Sequence, residues 1–373
     1  MFITGKPVYG KQFIDRKKHL PLFQTFIENH QSFMIKAPRR FGKTSIVKHL
    51  LQEDRGFIYI DVKRASTLRS LADTIIDKSY KLSSIENFIQ RSKTKLLDLL
   101  KSVQSLKIDD IAEITIRFQE EKSDDVEYFL HSLDVMEKVA QKLDIEVKCV
   151  FDEFQDILLL SDKKILDKTR SVIQHHEKVM YIFLGSIETI MRDIFEKKSS
   201  AFYHFATIID LPPLDTDELY AYSKKVFNDI GVSVSSLKNM LSFLGGHPDY
   251  SMQFLQKLYF NAIAMQKQEF SQDDLKEILL DTIEANRAYL EELISKAKQR
   301  KHNLEVLESI AKKQPIEIDS KILYNTKRSL EDMGLIKKRG RNDYVINDIF
   351  LELILRYKDD IGKIEFYLKG EEK

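Results

Sequence analysis

The stretch from Ser32 to Leu50, SFMIKAPRRFGKTSIVKHL, constrains this chain more than any other. Phe33, Met34 and Ile35 read as a short buried strand, 37–42 as a tight loop, and Lys43-Thr44-Ser45 as the opening of an amphipathic helix. A loop that ends at a helix N-terminus aims its backbone N–H groups at one spot, where they and the helix dipole hold a polyphosphate. In this reading Gly42 permits close backbone approach, Lys43 reaches the β- and γ-phosphates, and the Thr44 hydroxyl ligates Mg²⁺. Ala37, Pro38, Arg39, Arg40, Phe41 and Ser45 complete the nucleotide loop. The strict phosphate-loop pattern begins with Gly, and Ala37 stands there instead.

A loop of this kind needs a sheet, and 373 residues with 43% hydrophobic side chains can bury two or three cores. Lys and Arg total 59 against 58 acids, so charge gives no global drive toward nucleic acid or an anionic membrane. Any such partner has to be met by a local patch. The single cysteine, Cys149, lies in an apolar run and fits a reducing compartment. No apolar run reaches the roughly 18 residues of a membrane span, so the expectation is a soluble, cytoplasmic protein without a membrane partner.

Along the chain, 57–62 reads as a second buried strand, and strand-helix alternation means a parallel sheet. Residues 66–141 are mostly helical by period, with a strand expected at 113–119, and look like an insertion. The segment VKCVFDEFQD then ends a buried strand in Asp152-Glu153. Open α/β sheets bind ligands at their carboxyl edge. There Asp152 would hold Mg²⁺ through its water shell and Glu153 would polarise the attacking water as general base. The bland reading of two acids after a strand is a helix N-terminus suited to its dipole. A further strand at 179–184 ends in Gly185-Ser186, which places the Ser186 hydroxyl as a γ-phosphate sensor or makes an ordinary turn. Strand 208–211 leaves the sheet at Pro212-Pro213.

From Thr216 to about Ala288 the periods are helical, broken once by Gly245-Gly246-His247-Pro248. His247 has no second metal-type ligand at a useful spacing. Beyond Glu291 come a helix around Leu304 and Leu307, a second at 319–333 capped by Asp319 and ended by Gly334, an alternating hairpin, and a last helix at 348–357. That order is the outline of a winged helix. Between Lys296 and Arg341 there are thirteen Lys and Arg against six acids, a local excess that could meet duplex DNA or simply be solvated.

The carriers FIDR at 13–16, APRRFGKTS at 37–45, FDEFQ at 151–155, LGSIETIMRDIF at 184–195, LPPL at 211–214 and GGHP at 245–248 together resemble the prokaryotic archaeal-type P-loop ATPases, in the signal-transduction NTPase branch of the AAA-like superfamily. Members commonly carry Ala-Pro-Arg-Arg at the loop, so Ala37 fits. The resemblance implies ATP and Mg²⁺ as ligands and a five-stranded core sheet. It also implies a helical lid whose Gly-His-Pro turn, with Pro248, approaches the adenine, and a nucleotide site that Phe13, Ile14 and Arg16 help to form. Where such proteins often carry an arginine before the last core strand, this chain has Phe202-Tyr203-His204-Phe205. That departure implies slow hydrolysis, with Arg192 or a partner protein supplying the charge.

The expected fold is therefore α/β: a P-loop NTPase parallel sheet flanked by helices over 1–213, an all-α lid domain over 214–290 and a winged-helix domain over 291–373. The expected function is an ATP-hydrolysing, nucleotide-dependent switch. Its rival is a nucleotide-gated DNA-binding regulator with negligible hydrolysis. Self-assembly into an oligomer is left open.

Overall fold

The computed structural model describes residues 2–14, 16–84, 124–186, 188–340 and 343–357. The chain forms two compact units, one of 17–39 and 43–211, the other of 1–16, 40–42 and 212–373.

The first unit is built on a five-stranded parallel sheet: β1 (Phe33–Lys36), β2 (Phe57–Asp61), β3 (Val147–Asp152), β4 (Val179–Gly185) and β5 (Thr207–Asp210), in the order β2-β3-β4-β1-β5. β4 is buried at every position and β3 at all but Lys148, as strands covered on both faces must be. The covering helices are α1 (Leu20–Glu28), α2 (Lys43–Leu51), α3 (Leu68–Ser84), α4 (Asp125–Leu143), α5 (Lys164–Ile173) and α6 (Glu188–Phe195). α3 and α4 pack Leu71, Ile75 and Ile76 with Phe129, Leu133 and Met136 into the same core as the sheet. The described ends of 66–141 are thus core rather than appendage; the strand expected at 113–119 lies outside the described residues. Beside β4 the rings of Phe154, Phe195 and Phe202 gather on Phe183 at centroid distances of 4.7, 5.0 and 5.7 Å. Phe202, in the segment before β5, is fully buried, while His204 is exposed at a turn with φ +60°.

The second unit is mainly helical, with α7 (Thr216–Asn228), α8 (Leu237–Phe243), α9 (Pro248–Ala264), α10 (Gln272–Ala285) and α11 (Arg287–Lys298). The helical expectation for 216–288 is corrected in one place. β6 (Ser233–Val234) and β7 (Glu269–Phe270) form a parallel two-residue bridge, too short to leave an alternating pattern. The same unit continues through α12 (Asn303–Lys312), α13 (Ser320–Asp332), the antiparallel pair β8 (Ile336–Lys338) and β9 (Tyr344–Ile346), and α14 (Ile349–Arg356). Asp319 caps α13 by accepting from the N–H groups of Lys321 and Ile322. One apolar core joins Leu255 and Leu279 to Val306, Leu330 and Phe350. Phe2 is buried in that core, against the rings of Tyr222, Phe227 and Tyr259. Among the described residues no helix is long and apolar enough to cross a membrane.

The Gly245-Gly246 turn shows why glycine is needed twice. Both residues have positive φ, +59° and +66°, but only at Gly246 would an added Cβ meet another atom, 2.1 Å from the Leu214 carbonyl oxygen. That carbonyl belongs to a residue whose own N–H donates to the Gly246 oxygen at 2.8 Å. Gly245→Ala should therefore cost only the left-handed backbone penalty, roughly 1–2 kcal/mol. Gly246→Ala should cost clearly more and lower the thermal unfolding midpoint by several degrees further. Calorimetry on the two variants checks this; equal midpoints would show that the Leu214 contact yields freely.

Candidate functional site

At the carboxyl edge of the sheet the first unit gathers the acids and hydroxyls that the sequence singled out. Asp152 ends β3, and α2 begins at Lys43, one residue before Thr44. The Thr44 hydroxyl donates to Asp152 Oδ2 at 2.7 Å, across 108 positions of sequence. The Tyr59 hydroxyl donates to the same oxygen, and the Glu153 N–H donates to Oδ1 at 3.0 Å. Asp152 is only 8% exposed, so these three donors replace the water its charge would otherwise keep. Burial and the neighbouring carboxylate push the Tyr59 phenol far above its ordinary range, so it stays a donor.

Glu153 follows in the left-handed region, φ +53°. Its Oε2 accepts from the Ser186 hydroxyl at 2.7 Å, the Ser186 N–H at 3.1 Å and the Gln155 amide at 2.6 Å. Burial works to raise its pKa, but those donors and the positive Lys43 prevail and hold it below the usual carboxylate range. Ser186 is thus placed on Glu153, at the end of β4. Gly185 before it admits this arrangement, since a Cβ there would lie 2.4 Å from Met191 and 2.5 Å from the Gln155 side chain.

Lys43 is buried, and its Nζ donates to the carbonyls of Ala37 and Pro38, both at 2.8 Å. Ala37 is buried as well, while Arg39 is exposed and Pro38, Thr44 and Ser45 are intermediate. The amine therefore sits where the loop's own oxygens already converge. One hydroxyl and one carboxylate, both hard oxygen donors, suit an ion such as Mg²⁺ that keeps several waters.

The remaining residues expected around the nucleotide belong to the second unit. Arg40, at φ +66°, donates to Asp249 at 3.0 Å and Asn286 at 3.4 Å, and its guanidinium lies 5.3 Å from the centre of the Tyr289 ring. The Phe41 ring meets His247 edge-on at 5.0 Å. Gly42, at φ +86°, closes the turn. Arg16 is buried at φ +76° and donates to the carbonyls of Pro212, Pro213 and Phe41. It acts here as a clasp on backbone oxygens. Ile14 packs on the helical core, Phe13 is half-buried, and Pro248 occupies the first turn of α9.

Sequence reasoning assigned no side-chain role to three participants. Tyr59 gave no signal, because its partner is 93 residues away. Gln155 stood inside a noted motif without a role. His247 caps α9, its Nδ1 accepting from the Tyr250 N–H at 3.3 Å. Burial, then the Arg40 charge, lower its pKa to about 4, so the ring is neutral near pH 7, as an accepting nitrogen requires. It stacks on Tyr250 at 4.0 Å, and Tyr250 stacks on Phe350 at 3.9 Å and donates to Asp348 at 2.6 Å.

Comparison with curated protein sequences gives no match. Among solved structures, the Walker-type ATPase of Pyrococcus abyssi superposes with a TM-score of 0.68 at 18% identity, over 94% of this chain and 98% of that one. The Aeropyrum pernix ORC2 protein, solved in ADPNP-ADP complexes, gives 0.56 at 14% identity over 96% and 97%. At such identities the likeness speaks to the fold, and the fold is that of a P-loop NTPase. The AAA-like domain family matches residues 7–354, and this chain belongs to that family.

Proposed function

We propose that this chain binds ATP with Mg²⁺ at the 37–45 loop and hydrolyses it slowly, acting as a nucleotide-dependent switch. The observation that carries the reading is the 2.7 Å bond from Thr44, in the first turn of α2, to Asp152 at the end of β3. It brings together the two side chains that would hold Mg²⁺ on this reading. Lys43 would turn from the loop carbonyls to the β- and γ-phosphates, and Thr44 and Asp152 would hold the ion. Mg²⁺ would supply neutralisation of phosphate charge there. Glu153 would take the proton of the attacking water on its carboxylate. Three donors on Oε2 make that carboxylate a weaker base. With no arginine at 202–205, this favours slow turnover, with Arg192 or a partner supplying positive charge. In the second unit, Arg40, Phe41 and Pro248 fit a lid role, the helices of 214–290 serving as lid.

A second reading has its own observation. α12, α13, the β8-β9 hairpin and α14 have the order of a winged helix, and Lys321, Asn325 and Arg328 are exposed along α13. Lys327 is half-buried, with its amine 4.9 Å from the centre of the Tyr344 ring. Leu330, Leu335 and Ile336 are buried in the second unit's core. Exposed Lys337, Lys338 and Arg339 on the hairpin suit phosphate contacts. On this reading the switch is read out on duplex DNA.

Three measurements test these readings. Lys43→Ala should weaken ATP binding by about tenfold to a hundredfold, the worth of a charge-assisted contact; unchanged affinity by fluorescence titration would remove the loop assignment. Glu153→Gln should bind Mg²⁺-ATP as the parent does but release phosphate about 10²-fold more slowly or worse, and equal steady-state turnover would remove Glu153 from the reaction. If duplex DNA is the readout, Lys337, Lys338 and Arg339 replaced together should flatten the salt dependence of binding by about three units. Absence of binding at micromolar protein and low salt, with or without ATP, would leave the C-terminal segment as a protein-interaction module.

A further inference from the structure

We infer that Tyr59 is a positioning residue for the metal-holding pair, fixing the Asp152 carboxylate so that Thr44 presents its oxygen to the ion. The inference rests on the reading of Thr44 and Asp152 as the Mg²⁺ pair. β2 and β3 run parallel with Tyr59 beside Val150 and Asp61 beside Asp152. Residues two apart on a strand share a face, so Phe57, Tyr59 and Asp61 face the same way, and Tyr59 lies diagonal to Asp152. A diagonal neighbour is about 7–8 Å away, within reach of a tyrosine but of few other donors. Asp61, directly opposite Asp152, cannot serve: it is an acid, and its own carboxylate pairs with Arg64 at 3.1 Å.

The hydrogen bonds explain why the reach matters. An aspartate's terminal torsion is broad and does not by itself fix where its oxygens point. The Glu153 N–H pins Oδ1, and Thr44 and Tyr59 both donate to Oδ2, so the carboxylate is held from two sides. With Oδ2 fixed, the Thr44 proton has one direction to go, and its lone pairs are left for a cation. The Tyr59 ring is itself held, with the Lys48 amine 4.7 Å from its centre and Phe57 at 6.4 Å. Lys48 lies on α2 with Thr44, so the ring links the loop helix to the outer strand. Partners of this kind, one bond removed from a metal ligand, are worth about 10–100-fold in metal affinity.

Tyr59→Phe keeps the ring and removes only the donor. Binding of a fluorescent ATP analogue is followed as Mg²⁺ is titrated, beside binding in EDTA and thermal unfolding. The expected result is a Mg²⁺ midpoint raised about tenfold, with metal-free nucleotide affinity close to the parent and an unfolding midpoint only modestly lowered, since Asp152 keeps two of its three donors. In an Asp152→Asn background the same change should add little, since the carboxylate it orients is gone. A Tyr59→Phe midpoint equal to the parent's, or a full additional shift in the Asp152→Asn background, overturns the inference alone. A parent whose nucleotide binding ignores Mg²⁺ overturns both the inference and the reading beneath it.

Discussion

A carboxylate at the end of a strand buried on both faces is costly unless every solvating water is replaced, and Asp152 is in that position. Its replacements come from three separated places: Thr44 on the helix after the loop, Tyr59 on the neighbouring strand, and the backbone of Glu153. Satisfying one charge therefore fixes the loop helix against the sheet and sets the direction in which the chain leaves β3. The left-handed backbone at Glu153 follows from that exit, and it turns the next carboxylate toward Ser186 and Gln155. Local strain of this sort, of order 1–3 kcal/mol, persists only where the surroundings dictate it. Here they do, through a fully buried β4 and the close packing around Gly185.

A parallel logic governs the helical unit. Arg16 reaches three backbone oxygens at once, a span that no shorter or less forked side chain could cover. Those oxygens belong to the loop tip and to the proline pair where the sheet ends. His247 stays neutral, caps a helix, meets Phe41 edge-on and stacks on Tyr250, which stacks in turn on Phe350. Asp348 at the foot of the stack caps α14 through the N–H groups of Phe350 and Leu351. Burial raises the Asp348 pKa, and its donors work against that rise. The C-terminal helix thus begins on the ring system that ends at the loop tip.

Much of this was legible from residue order. The strand-loop-helix at 32–50 and the buried strand ending in Asp152-Glu153 carry their geometry locally, because helix starts and strand ends are written in neighbouring residues. The Asp319 cap and the hairpin of β8 and β9 were readable for the same reason. What was not legible is pairing across distance. Tyr59 looks like any strand aromatic, a carbonyl partner of Arg16 lies 197 positions away, and a two-residue bridge between β6 and β7 has no period to detect. The Arg16 guanidinium donates to backbone carbonyls, contacts that its motif does not announce. Lys43 was read as reaching the phosphates, and its buried amine donates to the carbonyls of Ala37 and Pro38, a contact that residue order does not announce.

The chain crosses between its two compact units at 39–40 and again at 42–43, so three loop residues, Arg40–Gly42, are grouped with the helices. Strand order alone would put the boundary after β5, and a gene fragment cut there would encode a complete sheet. That fragment would still lack Asp249, Asn286 and His247, the side chains that meet Arg40 and Phe41. Recombination between relatives would meet the same limit. A sheet from one parent joined to helices from another brings together a loop tip and a cradle selected apart, so the two segments are exchangeable only as a matched set.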